Sequence, residues 1–268
     1  MRPDHRGRLL LTGANGGIGR AIAERLAREG WRLLLVGRSP EALQNLQQSL
    51  PGGAQAHAWL QADITSADDR AQLCREARQL GDTSGLINCA GTSRFALIDQ
   101  LDDAALRQLF DTNVLAPMAL CRDLLPLLQL RHGVIINIGS TFGSIGYPGF
   151  SAYCASKFAL RGFTEALRRE LADSPVTVHY VAPRAVDTPL NSPAVQQLNR
   201  ELGNSVDAPE VVAAAVSAAL ASKRGGDRYL GWPEKLFVRI NGLLPRLVDN
   251  ALRKPLARVR HHASTERL

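Results

Sequence analysis

At 268 residues with 45% apolar side chains, the chain is long enough for one large α/β domain and too apolar for a disordered polymer. Four cysteines without metal-ligand or redox-pair spacing exclude a disulfide scaffold and fit a reducing compartment, and no window approaches the roughly 20 apolar residues of a transmembrane helix. The formal charge is +7, of which residues 232–268, with eight Lys/Arg against three acids, carry +5; lacking interleaved aromatics, that tail does not describe a nucleic-acid binder.

The amino terminus, Met1 to Arg8, is short and charged and precedes no apolar region of signal-peptide length, which predicts a cytoplasmic protein. Arg8 to Leu11 reads as a buried strand. It runs into Thr12-Gly13-Ala14-Asn15-Gly16-Gly17-Ile18-Gly19, after which Ala21, Ile22, Leu26 and Ala27 have helical spacing. Strand, glycine turn and helix start together present backbone N–H groups and a helix dipole to a phosphate. The glycines at 13, 17 and 19 depart from the generic dinucleotide fingerprint, so their place between strand and helix carries the expectation of a cofactor loop over a plain tight turn. A second strand, Arg32 to Val36, ends in Gly37-Arg38-Ser39. No acid stands there to hold a ribose 2′-hydroxyl; Arg38 suits a 2′-phosphate, which favours NADP over NAD, and a plain surface arginine is the alternative.

A helix is predicted over Pro40 to Leu50, a strand near Ala56 to Leu60 closed by Asp63-Ile64, and a helix over Ala67 to Leu80, before Gly85-Leu86-Ile87-Asn88-Cys89-Ala90-Gly91. This alternation predicts a parallel sheet covered on both faces, with Asp63, Asn88, Ala90 and Gly91 at carboxyl ends of strands, where ligands bind. Asp63 could equally cap the next helix. The helical region Leu101 to Leu130 carries Asn113 in its middle and includes Pro117 and Pro126, which predicts a kink whose freed backbone groups need partners.

The apolar run Val134 to Gly139 ends at Ser140. Tyr153 and Lys157, four residues apart, share one face of a helix whose apolar pattern continues through Phe158, Leu160, Phe163, Ala166 and Leu167. A free tyrosine ionises near pH 10, so carrying protons near neutrality asks for about 4 kcal/mol in favour of phenolate. A unit charge about 4 Å away supplies that in a sheltered cleft but only about 1 kcal/mol in bulk water. The expectation is a proton carrier at Tyr153, an ammonium at Lys157 that lowers its pKa, and a carbonyl-orienting hydroxyl at Ser140; an amphipathic rim with a solvated charge is the plain alternative. A strand follows over Val176 to Val181, then Ala182 to Leu190, and to about Asp207 the periodicity fails, which predicts a mobile substrate loop. A helix from Pro209 to about Ala221 and a strand near Arg228 to Leu230 complete the pattern.

Glycine loop, Asn-Cys-Ala-Gly, Asn113, Ser140 and Tyr-x-x-x-Lys in this order resemble the short-chain dehydrogenase/reductase superfamily over about residues 8 to 231. The resemblance implies a single doubly wound Rossmann-type α/β domain, 1–231, with a parallel sheet of about seven strands and helices on both faces. It implies that Gly13, Gly17 and Gly19 wrap the pyrophosphate, Asp63 touches the adenine, Asn88 and Ala90 line the adenosine ribose and its neighbourhood, and Asn15, Ile18 and Gly91 also contact the cofactor. Tyr153 would then be the proton donor or acceptor, Lys157 would tune it and hold the nicotinamide ribose, Ser140 would orient the substrate oxygen, Asn113 would support a water-linked proton path, and Thr188 would contact the carboxamide. A homodimer or homotetramer is implied too. Two departures stand out: Cys89 where a second asparagine is common, and Pro183-Arg184 where Pro-Gly is common, which adds charge beside the nicotinamide.

Residues 232–268 form a basic extension in which Leu236, Ile240, Leu243, Leu247 and Ala251 fall on one helical face, interrupted by Pro245 and Pro255. It could lie on an anionic membrane, at the inner surface, or pack over the cleft of its own domain; an acidic acyl-carrier protein is a third partner for its charge. His261-His262 reads as a solvated pair, and no metal site is expected. These features point to NADP-dependent reduction of a lipid-like or 3-oxoacyl ketone. A broad small-ketone dehydrogenase and a non-catalytic NADP-sensing protein are the alternatives; a serine hydrolase is disfavoured because Ser140 lacks elbow glycines and a histidine partner.

Overall fold

The computed structural model describes residues 7–265; segment 1–6 and residues 266–268, with Glu266 and Arg267, lie outside the described residues. The amino-terminal half runs β1 (Arg8–Thr12), α1 (Gly17–Arg28), β2 (Arg32–Gly37), α2 (Pro40–Ser49), the one-turn α3 (Gly53–Ala56), β3 (Ala58–Gln61), α4 (Ala67–Gln79) and β4 (Thr83–Asn88). Next come α5 (Asp103–Phe110), α6 (Ala116–Leu130), β5 (Val134–Ile138), α7 (Ser151–Glu170), β6 (Thr177–Ala182), α8 (Pro193–Leu202), α9 (Pro209–Leu220) and β7 (Gly226–Tyr229). Three further helices close the described chain: α10 (Glu234–Leu243), α11 (Pro245–Arg253) and α12 (Leu256–Thr265).

The seven strands form one sheet in the order β3-β2-β1-β4-β5-β6-β7, every pair parallel. Alternation divides their side chains: Leu9, Leu11, Leu33, Leu35, Ile87 and Ile136 pack under α1, α2 and α9, while Leu10, Leu34, Val36, Leu86, Ile135 and Val178 pack under α4, α6 and α7. Strand order reverses between β1 and β4, so a crevice opens at their carboxyl ends, the place where ligands enter such sheets. Gly13 turns away from β1 at φ +65°, and a Cβ there would lie 2.7 Å from the Ala90 Cα after β4. The two loops therefore touch backbone to backbone, which only glycine allows.

The kink at Asn113 is a π-turn, Asp111–Leu115, between α5 and α6. Residues 191–207 depart from the expected unstructured loop. Ser192 caps α8 through Val195 N–H, Pro193 opens it, and Val195 and Leu198 are buried. Their partners, Val259 and Ala263, sit on α12, so half of this apolar face belongs to a segment 60 residues on. His262, expected in water, is buried and bonds Glu201 through Nε2 at 3.0 Å. The single stripe expected on the extension is also corrected. The chain turns at Leu244-Pro245 and Lys254-Pro255, leaving Leu243 81% exposed while Ile240 and Ala251 face inward.

Candidate active site

Five segments bring the expected chemistry to one cavity of about 520 Å³. Ile18 and Thr188 border it on one side, Gly91 behind, and Ser140, Tyr153 and Lys157 on its floor. Thr188 packs its Cγ2 against Gly17, so the glycine turn and the segment after β6 meet there. The outer wall consists of Phe237, Ile240, Leu247, Val248, Ala251 and Leu252 from α10 and α11.

Ser140 follows β5 and is 8% exposed. Its backbone is held from below by Tyr180 on β6, whose hydroxyl accepts from Ser140 N–H and donates to Ser140 C=O, both at 3.2 Å. Its Oγ accepts from Phe142 N–H at 3.1 Å. Lys157, 5% exposed, donates from Nζ to Ile138 C=O at 3.2 Å. Asn113 is 1% exposed; its Oδ1 accepts from Thr92 N–H, and its Nδ2 donates to Thr92 C=O and Ser156 Oγ, at 2.9 to 3.0 Å. One acceptor position on Oδ1 remains. A Cβ on Gly91 would lie 3.3 Å from Asn113 Oδ1 and 3.6 Å from Lys157 Nζ, so this bare backbone separates the two side chains.

Burial pushes the Tyr153 phenol up to about 12, opposed by hydrogen bonding to Ser140, and pushes the Lys157 ammonium down to about 8. The expected lowering of the phenol by the lysine is outweighed by burial. Lys157 Nζ lies 5.7 Å from the ring centroid, and the dryness that strengthens their attraction penalises the phenolate more.

The nucleotide side fits a dinucleotide. Gly16, at the N-cap of α1, offers no side chain to the first-turn N–H groups, and that turn carries no acid, so these donors are open to a pyrophosphate. Arg38 is exposed at the end of β2, close enough to Asp63 to help hold its carboxyl below the usual range, after the larger effects of Thr65 N–H and Thr65 Oγ. Asp63 thus caps its own turn, while Ser66 caps α4. The Asn88 side chain, expected beside the ribose, is buried and donates to Asn137 Oδ1 at 2.8 Å. Asn15 is exposed on the glycine turn with its Oδ1 over Gly37.

Thr12 and Tyr180 escaped the sequence reading. Thr12 Oγ1 accepts from Cys89 and Ala90 N–H, both at 3.1 Å, locking the β4 loop to the glycine turn. A threonine closing the leucine run of β1 and a tyrosine inside a buried strand were the available signals. Arg184 is also tied down: it donates to Asp207 at 2.7 Å and to Glu234 at 3.2 Å, and reaches Trp232 C=O at 3.4 Å. Its charge joins the loop before α9 to the start of the extension.

The family profile for short chain dehydrogenase matches residues 8–199. An uncharacterized oxidoreductase of Bacillus subtilis, YxnA, is 31% identical over 94% of this chain and 73% of its own. The 3-oxoacyl-(acyl-carrier-protein) reductase FabG of Escherichia coli is 33% identical over 67% of this chain and 73% of its own. A short chain dehydrogenase from Burkholderia cenocepacia, solved in complex with NADP, superposes with a TM-score of 0.78 at 25% identity, covering 93% of this chain and 98% of that one. The chain belongs to the short-chain dehydrogenase family and is an oxidoreductase of the Rossmann-like fold.

The Lys157 shift predicts a stability effect of definite sign. Between pH 8 and the ordinary value of 10.5 the unfolded chain holds more protons than the folded one, so the lysine's contribution to stability rises with pH there. Below pH 8 the full cost of the buried charge is present. Lys157→Met should therefore stabilise the cofactor-free protein at pH 7 by up to roughly 3 kcal/mol, and the gain should shrink as pH approaches 10.5. Urea denaturation at pH 7 and pH 10 checks it; a destabilised variant at pH 7 would contradict it.

Proposed function

We propose that the protein is an NADP-dependent reductase of ketones, with a lipid-like or 3-oxoacyl compound as substrate. The observation that carries this is the cavity in which Ser140, Tyr153 and Lys157 face an apolar wall from α10 and α11. When bound, the dinucleotide supplies the hydride. Gly13, Gly17 and Gly19 would hold its pyrophosphate, Arg38 its 2′-phosphate, Lys157 the nicotinamide ribose and Thr188 the carboxamide.

Ser140 orients the carbonyl oxygen by donating from Oγ, its backbone fixed by Tyr180. Tyr153, held protonated by burial, donates its proton to that oxygen as negative charge develops there. Lys157 offsets the cost of the phenolate left behind: at about 6 Å and an effective dielectric near 20, the pair gains about 3 kcal/mol. Asn113 keeps one acceptor free for a water that restores the proton. At neutral pH the phenol is in its protonated form, the form from which a reduction starts.

Residues 1–231 are then the dinucleotide-binding and catalytic unit, and 232–268 the cap that makes the substrate wall greasy. The FabG likeness supports an acyl chain in the substrate. Exposed Phe110, Leu115, Met118 and Phe158, beside Asn113 and Tyr153, support a homodimer or homotetramer, and four free cysteines support a cytoplasmic setting.

Tyr153→Phe should lower turnover by about a thousandfold with NADPH binding unchanged; full activity would refute the assignment. With wild type, kcat/KM should rise with ketone chain length, as followed by nicotinamide absorbance, and a flat response would favour a broad small-ketone enzyme. Arg38→Ala should weaken NADPH binding by about tenfold and leave NADH binding within about threefold. Equal losses for both would remove the 2′-phosphate role.

A further inference from the structure

The cap has two faces, and only one is used by the cavity. Phe237, Ile240, Val248 and Leu252 line the cavity, Phe237 while still 46% exposed. At the corner between α10 and α11 the chain instead holds Leu243 and Leu244 in water, 81% and 56% exposed, with Leu236 at 42% and Leu247 at 57%. Trp232, just before α10, is 70% exposed. Leu247 also lines the cavity, so this apolar corner lies on the rim of its mouth. Arg239, one helical turn before Leu243, and Arg246, just after the corner, are exposed beside it, and Lys235, Arg253 and Lys254 are exposed farther along the two helices; Asp249 is the exposed acid of this segment, since Glu234 is engaged by Arg184.

We propose that the α10–α11 corner docks on a bilayer surface carrying anionic headgroups, with Leu243 and Leu244 entering the acyl region and the cavity mouth turned toward the lipid. Cations flanking a protruding apolar tip match the two layers such a surface offers, charge outside and hydrocarbon beneath. An acidic carrier protein would satisfy the cations but leave the leucines without an apolar partner. A second copy would bring like charges together. No helix among the described residues is long and apolar enough to cross a membrane, so the attachment is peripheral. It stands on the cap's surface and not on the reductase assignment; a protein that binds vesicles and reduces no ketone would leave it intact.

The test is sedimentation of the full chain with phosphatidylcholine vesicles, with and without half phosphatidylglycerol, at low and high salt. The expected result is binding to the anionic vesicles, weakened about tenfold by removing phosphatidylglycerol or by Leu243→Ser with Leu244→Ser. Both leucines are exposed and outside the cavity, so this variant should keep its far-ultraviolet circular dichroism and its activity on a water-soluble ketone. A blue shift of tryptophan emission on binding, absent in Trp232→Phe, would place that ring at the interface. Failure to bind anionic vesicles would overturn the proposal. So would binding undiminished in the double serine variant, a complex with an acyl-carrier protein in place of vesicle binding, or leucine-dependent self-association without lipid.

Discussion

A buried ammonium is the constraint on which the site depends. Lys157 is 5% exposed and gives one hydrogen bond, to Ile138 C=O, among the described residues. Its charge is unfavourable in the folded chain until something negative arrives. The same desolvation holds Tyr153 in its neutral form. Two groups that each resist ionisation in this cavity become useful together, because a phenolate formed beside an ammonium relieves both. The rest of the fold supplies dryness and aim: Tyr180 under Ser140, Asn113 in its π-turn, and α10 and α11 over the mouth.

Much of this was legible in the chain. Unbroken leucine runs in β1 and β2 and the helices between strands specify a parallel sheet buried on both faces, and parallel order sends every strand's carboxyl end to one edge. Ser140, Tyr153, Lys157 and Thr188 therefore had to approach one another once their elements were placed. The kink at Asn113 was legible too, since Pro117 removes a donor just where the helix changes pitch. The pKa order was not. Spacing places a lysine beside a tyrosine but says nothing of how dry their surroundings are, and dryness decides whether the phenol rises or falls.

Contacts between distant segments were hidden for a different reason. α8 shows an incomplete apolar face, and Val259 and Ala263, which complete it, lie on another helix about 60 residues away. Asn88 looked like a ligand residue at a strand end, yet its side chain turns into the sheet toward Asn137, which in turn donates to Thr164 at 2.8 Å. Arg184 looked like a charge added beside the cofactor. In the fold it does line the cavity, but its charge is shared with Asp207 and Glu234, so it also fixes the start of the cap. Removing it would leave the partly buried carboxylates of Asp207 and Glu234 without this cation.

The most direct test of the buried charge is to titrate Lys157 itself by nuclear magnetic resonance in the cofactor-free protein, assigning its signal by loss in Lys157→Met. Deprotonation near pH 8 is the expected result. A midpoint near the ordinary 10.5 would mean that water reaches the ammonium, and the dry site built around it would be wrong.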